Sequence, residues 1–398
     1  MANLMVTMAK AMVKGKLGIG ELNGMERFML SQFGLPDRVP TYLAATNIEP
    51  YLVDPKYNYK LLAESVDANL ELFDKVCERI DADMVVAPIW QGLMIIGTAE
   101  LGTVFKIDED RVPYSIDYPI KSKEDIQKIK LPEEPTGHLK MYFDISKKAQ
   151  RSHPEMMFPT IFDGPWDLAM LLRGDEKLPL DMRTHKDYVE TDDPNRKKKI
   201  RARGDPDIYP AIMELTTQLA IRHVELAKEY GMPLLGASLV DQYAASPIMS
   251  RSDYVKYVLP YIERVWLHHK KKLVIGYFCT SPAQIREILE NEPPGIAQQI
   301  QFANYIFPTT PEGIALPEYD RQAFELAKEY KKCFSYFIHG KYLRDATKGD
   351  LEELVKRVCG LATEMRVSIM ISIVSVPPGS DLEKVNYTFD LVKKYGRY

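Results

Sequence analysis

Four residues able to do chemistry each stand at the end of a short apolar run. Asp163 follows "TIF", Asp241 follows "LLGASLV", Cys279 closes "LVIGYFC" and His339 follows "CFSYFI". An aspartate in apolar surroundings keeps its proton toward neutral pH, so it can act as a general acid or orient a substrate hydroxyl. Its ordinary use is to cap the next helix. Cys279 precedes a helix that begins near Thr280. A helix N-terminus favours the thiolate, the form that attacks or binds metal, although a free cysteine also serves as a small buried hydrophobe. His339 is followed by Gly340, which permits close backbone approach, while a lone histidine is more often a structural hydrogen-bonding group. Glu318 has twenty residues between it and His339. Thiolate, carboxylate and imidazole from Cys279, Glu318 and His339 would make a zinc-type ligand set.

The apolar runs that carry these residues number eight: 39–45, 84–89, 157–162, 234–240, 273–279, 296–303, 333–339 and 368–374. Between them lie segments with apolar residues at every third or fourth position: 59–80, 212–230, 252–270, 282–291, 320–330 and 350–365. Alternating strands and helices predict an α/β fold with a parallel sheet. Eight repeats predict a single (β/α)8 TIM barrel spanning 1–398, with no open edge. Residues 1–36 read as an N-terminal helical extension. The charged, proline-rich stretch 102–131 reads as a small excursion, and 174–206 as an inserted loop whose basic run, Arg196 to Lys199, is a solvated face or a lid.

Barrel chemistry sits just past the strands' C-termini. Those positions are Asn47, Trp90, Asp163, Asp241, Cys279, Asn304, His339 and Ser375, accompanied by Phe162, Trp166, Tyr243, Tyr277 and Phe278. Asn47, Trp90, Phe162, Asp163, Trp166 and Tyr277 are expected to bind a planar, largely apolar small molecule, and Asp241, Tyr243, Cys279 and His339 to act on it. The plainer reading of the aromatics is core packing.

Composition narrows the classes. Hydrophobic residues at 45% and charged residues at 27% describe a globular chain, and the net charge of -4 gives no field to gather nucleic acid or an anionic membrane. No stretch approaches the roughly 20 apolar residues of a membrane span, and no signal-peptide pattern opens the chain, so a cytoplasmic location is expected. The four cysteines lack CxxC spacing, which argues against a disulfide frame or zinc ribbon.

Several motifs, in order, resemble the uroporphyrinogen decarboxylase superfamily: "PDRVP" (36–40), "FDGPWDLAMLLRG" (162–174), "LVDQYAASPIMSRSDYVKYVLPYIERV" (239–265) and "VPPGSDLEKVNYTFDLVKKYG" (376–396). The resemblance covers nearly the whole chain and implies a β/α barrel. Porphyrinogen decarboxylases follow the first strand with an arginine-rich "MRQAGR" that holds substrate carboxylates, whereas "YLAATNIEPYL" (42–52) has no arginine. The corrinoid-linked methyltransferase branch is the closer likeness. Its thiol-methylating members carry H-x-C after the fifth strand and a cysteine after the eighth; this chain has Tyr277, Phe278, Cys279 and then Val374, Ser375. Members that demethylate methoxylated aromatics carry Glu, fourteen residues, Glu, twenty residues, His; Glu318 and His339 match the second half, and Ala303 stands where the first glutamate would be. The resemblance therefore implies transfer of methyl from an aromatic methyl ether to the cob(I)alamin of a partner corrinoid protein, with zinc or a proton donor such as Asp241 or Tyr243 assisting. Another methyl donor, a coenzyme M type thiol acceptor, or a decarboxylase or lyase are the alternatives. A small aromatic ether and the corrinoid protein are the expected partners, and the chain could pair as a homodimer.

Overall fold

The computed structural model describes residues 22–31, 36–44, 48–86, 93–153, 160–232, 237–241, 244, 249–279, 281–291, 297–302, 317–373 and 375–398, with the backbone alone for Met25, Met29, Ala44, Val86, Leu93 to Ile95, Arg251, Tyr277 to Cys279 and Ala297 to Phe302. Ten strands are described: β1 (Thr41–Ala44), β2 (Met84–Val86), β3 (Val104–Lys106), β4 (Tyr114–Asp117), β5 (Ile161–Asp163), β6 (Ser238–Val240), β7 (Val274–Cys279), β8 (Ala297–Phe302), β9 (Phe334–Ile338) and β10 (Ile369–Ile373). Eight of them form one sheet in the order β2-β1-β10-β9-β8-β7-β6-β5. Every ladder in it is parallel. Each of the eight predicted runs overlaps one described strand, and β5 extends one residue past its run, to Asp163. Among the described residues no ladder joins β2 to β5. The architecture is thus a mixed α/β fold around an eight-stranded parallel sheet.

A parallel sheet flanked by helices is buried on both faces, which is why β9 ("FSYFI") and β10 ("IMISI") are apolar nearly throughout and buried at every position. Their polar members, Ser335 and Ser372, hydrogen-bond each other within the core. The helices lie where the periodicity put them, including Ile208–Glu229, Pro282–Asn291, Pro317–Glu329 and Lys348–Met365.

Three segments differ from expectation for local reasons. The periodic stretch 59–80 is two helices, Tyr59–Glu64 and Val66–Arg79, because the Ser65 side chain accepts the Ala68 N–H and opens the second helix. Residues 102–131 contain the antiparallel hairpin of β3 and β4 and a short helix, Lys123–Ile126. The stretch read as an inserted loop, 174–206, instead holds the helices Lys177–Val189 and Pro194–Arg201. The basic run lies on the second of these, with Arg196, Lys198 and Lys199 exposed, as a solvated face requires. Pro260 explains a further irregularity. A proline one turn into a helix clashes with the carbonyl four residues back, and the backbone widens to a π-helix over Tyr254–Val258 before continuing as Leu259–His268.

The amino end of the sheet is held by charge. Asp83, just before β2, accepts from both Arg38 guanidinium nitrogens (2.6 and 2.8 Å) and from the Thr41 N–H (2.9 Å). Arg27, on the helix Gly24–Ser31, joins Asp83 to Asp37. Asp37 and Arg38 of the "PDRVP" motif are therefore structural, at the end of the sheet away from the strands' C-termini.

Candidate active site

β5 and β6 are hydrogen-bonded neighbours in the register Ile161↔Ser238, Phe162↔Leu239, Asp163↔Val240. That register sets the last residue of β5, Asp163, beside the residue that leaves β6, Asp241. The two aspartates seen separately in the sequence form one site at the carboxyl edge of the sheet.

Gly164 makes their meeting geometrically feasible. Its N–H donates to the Val240 carbonyl (2.8 Å), and a Cβ at this position would overlap the Asp241 carboxylate. Pro165 then starts the helix Pro165–Arg173, where its missing N–H is no loss. The Asp167 N–H in the first turn donates to Asp241 Oδ1 (3.0 Å). Asp241 thus caps a helix that is not its own. Its other oxygen, Oδ2, is shut from water with no hydrogen-bond partner, although the residue as a whole is only half-buried.

Burial sets the protonation of the pair. Asp163 is 8% exposed, and desolvation pushes its carboxyl up from the ordinary carboxylate range to about 7. Asp241 is raised as well, first by burial, against the opposing pull of the Asp167 and Trp166 N–H groups and with the added repulsion of Asp163. Two carboxylates in one enclosed site resist ionising together, so the pair keeps a proton near neutral pH as a unit. With Oδ1 engaged by the helix, Asp241 Oδ2 is the oxygen left to hold that proton.

His223, on the helix Ile208–Glu229, borders this site. A Cβ on Gly97, in the helix Leu93–Thr98, would lie 2.8 Å from Leu168 Cδ2, 3.4 Å from His223 Cε1 and 3.5 Å from Asp163 Oδ2. The absence of a side chain at Gly97 therefore lets imidazole and carboxylate face the same space. Burial drives the imidazole down to about 4, so His223 is neutral beside the acids.

The Uroporphyrinogen decarboxylase (URO-D) family model covers residues 35–395. The chain belongs to the uroporphyrinogen decarboxylase family. No curated protein matches the chain. Xylanase B from Clostridium stercorarium F9 is similar in structure at 12% identity and a TM-score of 0.41, covering 85% of this chain and 86% of that one. The catalytic domain of the Bacillus sp. JAMB-750 GH26 endo-beta-1,4-mannanase matches at 10% identity and a TM-score of 0.41, covering 86% and 91%.

In this member of the uroporphyrinogen decarboxylase family the other expected site residues with described side chains are Phe162, Trp166, Glu318 and His339. Phe162 is 4% exposed on β5, and Trp166 is fully buried with its ring 6.3 Å from that of Tyr209. Both are placed as packing residues. Asn47, Trp90, Tyr243 and Asn304 lie outside the described residues, and the side chains of Tyr277 and Cys279 do also. Glu318 is exposed in the first turn of Pro317–Glu329. His339 caps the helix Gly340–Asp345, its Nδ1 accepting the Lys341 N–H (3.2 Å). With Nδ1 an acceptor, the neutral ring carries its proton on Nε2. Among the described residues no three His, Cys, Asp or Glu side chains gather as a metal site. The Cys279 side chain, the third member of the expected zinc set, lies outside the described residues, and no step below passes through a metal. Cys359 is fully buried, with its thiol pushed up to about 12 by desolvation, which makes it a packing residue.

The sequence reading missed His223, Gly97 and the role of Gly164. His223 carried a faint signal, since it falls on the buried stripe of its helix with Leu219, Ala220 and Ala227. Gly164 was visible within "FDGPWD" but its demand comes from across the sheet.

Proposed function

We propose that the chain is a methyltransferase that cleaves the methyl ether of a methoxylated aromatic compound and passes the methyl group to the cob(I)alamin of a corrinoid protein. The observation that carries this reading is the enclosed Asp163–Asp241 pair, whose burial raises both carboxyls and leaves one Asp241 oxygen unpartnered. An aryl ether is inert because phenolate leaves poorly, so catalysis must place a proton on the ether oxygen as its bond to methyl breaks. The oxygen keeps the electron pair of that bond and takes the proton from the aspartate pair, leaving a neutral phenol. Reduced cobalt on the partner supplies the electron pair for the new bond to methyl. Water then returns a proton to the pair, and neutral His223 adds no charge that would hold it back.

The uroporphyrinogen decarboxylase fold supports the same reading at larger scale. We take the eight strands to close as a TIM barrel, with β2 beside β5, so that the pair sits at the mouth where a carrier protein can approach. Decarboxylation of a polycarboxylate is disfavoured, since the segment after β1, residues 42–52, carries no arginine.

The test combines purified protein, reduced corrinoid protein and a panel of methoxyarenes. The expected result is methylated corrinoid with one equivalent of free phenol, and no carbon dioxide. Carbon dioxide release from a carboxylic acid in place of methyl transfer would return the chain to the decarboxylases, and no methylated corrinoid from any methoxyarene would end the proposal.

A further inference from the structure

Glu49 occupies a second position at the carboxyl edge. Ile48 bridges Val376 in parallel beyond the ends of β1 and β10, and the Glu49 N–H donates to the Val376 carbonyl (3.3 Å). That bridge places Glu49 beyond the carboxyl ends of β1 and β10. Its side chain is 9% exposed, yet Oε2 has no hydrogen-bond partner.

The surroundings do not compensate for this burial. Desolvation raises the carboxyl, the Tyr59 hydroxyl beside it opposes that shift, and Asp110 adds like charge. Among the described residues, no basic side chain is among the groups acting on it. Asp110 belongs to the connection between β3 and β4, which is fixed by a hydrogen bond from the Tyr59 N–H to the Glu109 carbonyl (3.2 Å). A buried carboxylate oxygen left unpartnered is destabilising unless something outside the chain answers it. At the carboxyl edge of a β/α sheet that something is a ligand.

We infer that Glu49 is a specificity-determining residue whose free oxygen accepts a hydrogen bond from a ring hydroxyl or amino group of the ligand and whose charge, with that of Asp110, turns away a ligand carboxylate. The inference rests on the methyl-ether reading and narrows it to aromatic ethers bearing a hydrogen-bond donor.

The experiment is calorimetric binding at pH 7 to methoxybenzene, 2-methoxyphenol, 2-methoxyaniline and 2-methoxybenzoate, by wild type and Glu49→Gln. Glutamine keeps the shape, removes the charge and replaces one accepting oxygen with a donating NH2. Wild type should bind the phenol or the aniline roughly tenfold or more tighter than methoxybenzene, as a hydrogen bond to a charged group warrants, and the benzoate more weakly. The phenol and aniline arms show which donor the site takes. In Glu49→Gln these differences should shrink to within about threefold. Equal binding by wild type, or a preference that survives in Glu49→Gln, overturns the inference. A thermal melt confirms that the variant folds; where it does not, the wild-type order of the four probes decides alone. Methyl transfer without donor preference removes this inference and leaves the function standing, and donor preference without methyl transfer does the reverse.

Discussion

An aspartate whose proton is held to about 7 in the folded chain and to about 4 in the unfolded one takes up a proton on folding between those values. The sign follows: Asp163 favours the fold below pH 4, and that contribution is lost as pH rises through 7. For so enclosed a group the loss is on the order of 4 kcal/mol. Asp163→Asn should therefore be more stable than wild type at pH 8 and flatter between pH 4 and 7 in urea titrations. The same variant should lose methyl transfer by roughly 10²- to 10⁴-fold. Lower stability at pH 8 with full activity would mark Asp163 as structural. Gly164→Ala tests the geometry separately, because its Cβ overlaps the Asp241 carboxylate; it should move the pH–rate profile as well as lower the rate. An unmoved profile would show that the pair does not govern the chemistry. Asp163 and Asp241 were both legible as strand-end residues, each read as acid or cap. Asp241 caps a helix through Oδ1, and Oδ2 is the oxygen proposed for the acid role. Their pairing was not legible, because it depends on the β5 to β6 register and not on either run alone. Glu49 lay in a segment read for Asn47 and for its lack of arginine.

Elements were more legible than residues, because hydrophobic periodicity is written locally while contacts are not. Eight runs supplied eight strands, and the long helices fell where apolar residues recur. The misreadings were made by single side chains: Ser65 divides one helical pattern in two, and charge-rich 174–206 hid two helices whose packed faces are small. Only Leu178 and Met182 of Lys177–Val189 and Ile200 of Pro194–Arg201 are buried, too few to give a pattern. Ser65→Ala should remove the cap of Val66–Arg79 at a loss of about 1 kcal/mol in urea denaturation. Unchanged stability would mean that the break is imposed by the turn rather than by the serine.

At the scale of the molecule, the two ends of the sheet divide the work. The amino end carries Asp83 between Arg27 and Arg38, and Asp83→Asn should lower stability by about 3 to 5 kcal/mol, since it leaves buried cations short of a partner. Activity per folded molecule should not change; a selective loss of activity would contradict the division. The carboxyl edge carries the aspartate pair and Glu49. Because the proton comes from carboxyls, exhaustive chelation should leave methyl transfer within about twofold of its starting rate, a margin below the effect of a lost general acid. Collapse of the rate, restored by zinc, would transfer the electrophilic role to a metal. The most direct measurement is the infrared carboxyl spectrum of the protein from pH 5 to 9, compared with Asp163→Asn and Asp241→Asn. The account predicts one protonated carboxyl band that titrates near pH 7 and is altered in both variants. A spectrum in which both aspartates are already ionised at pH 5 would contradict it.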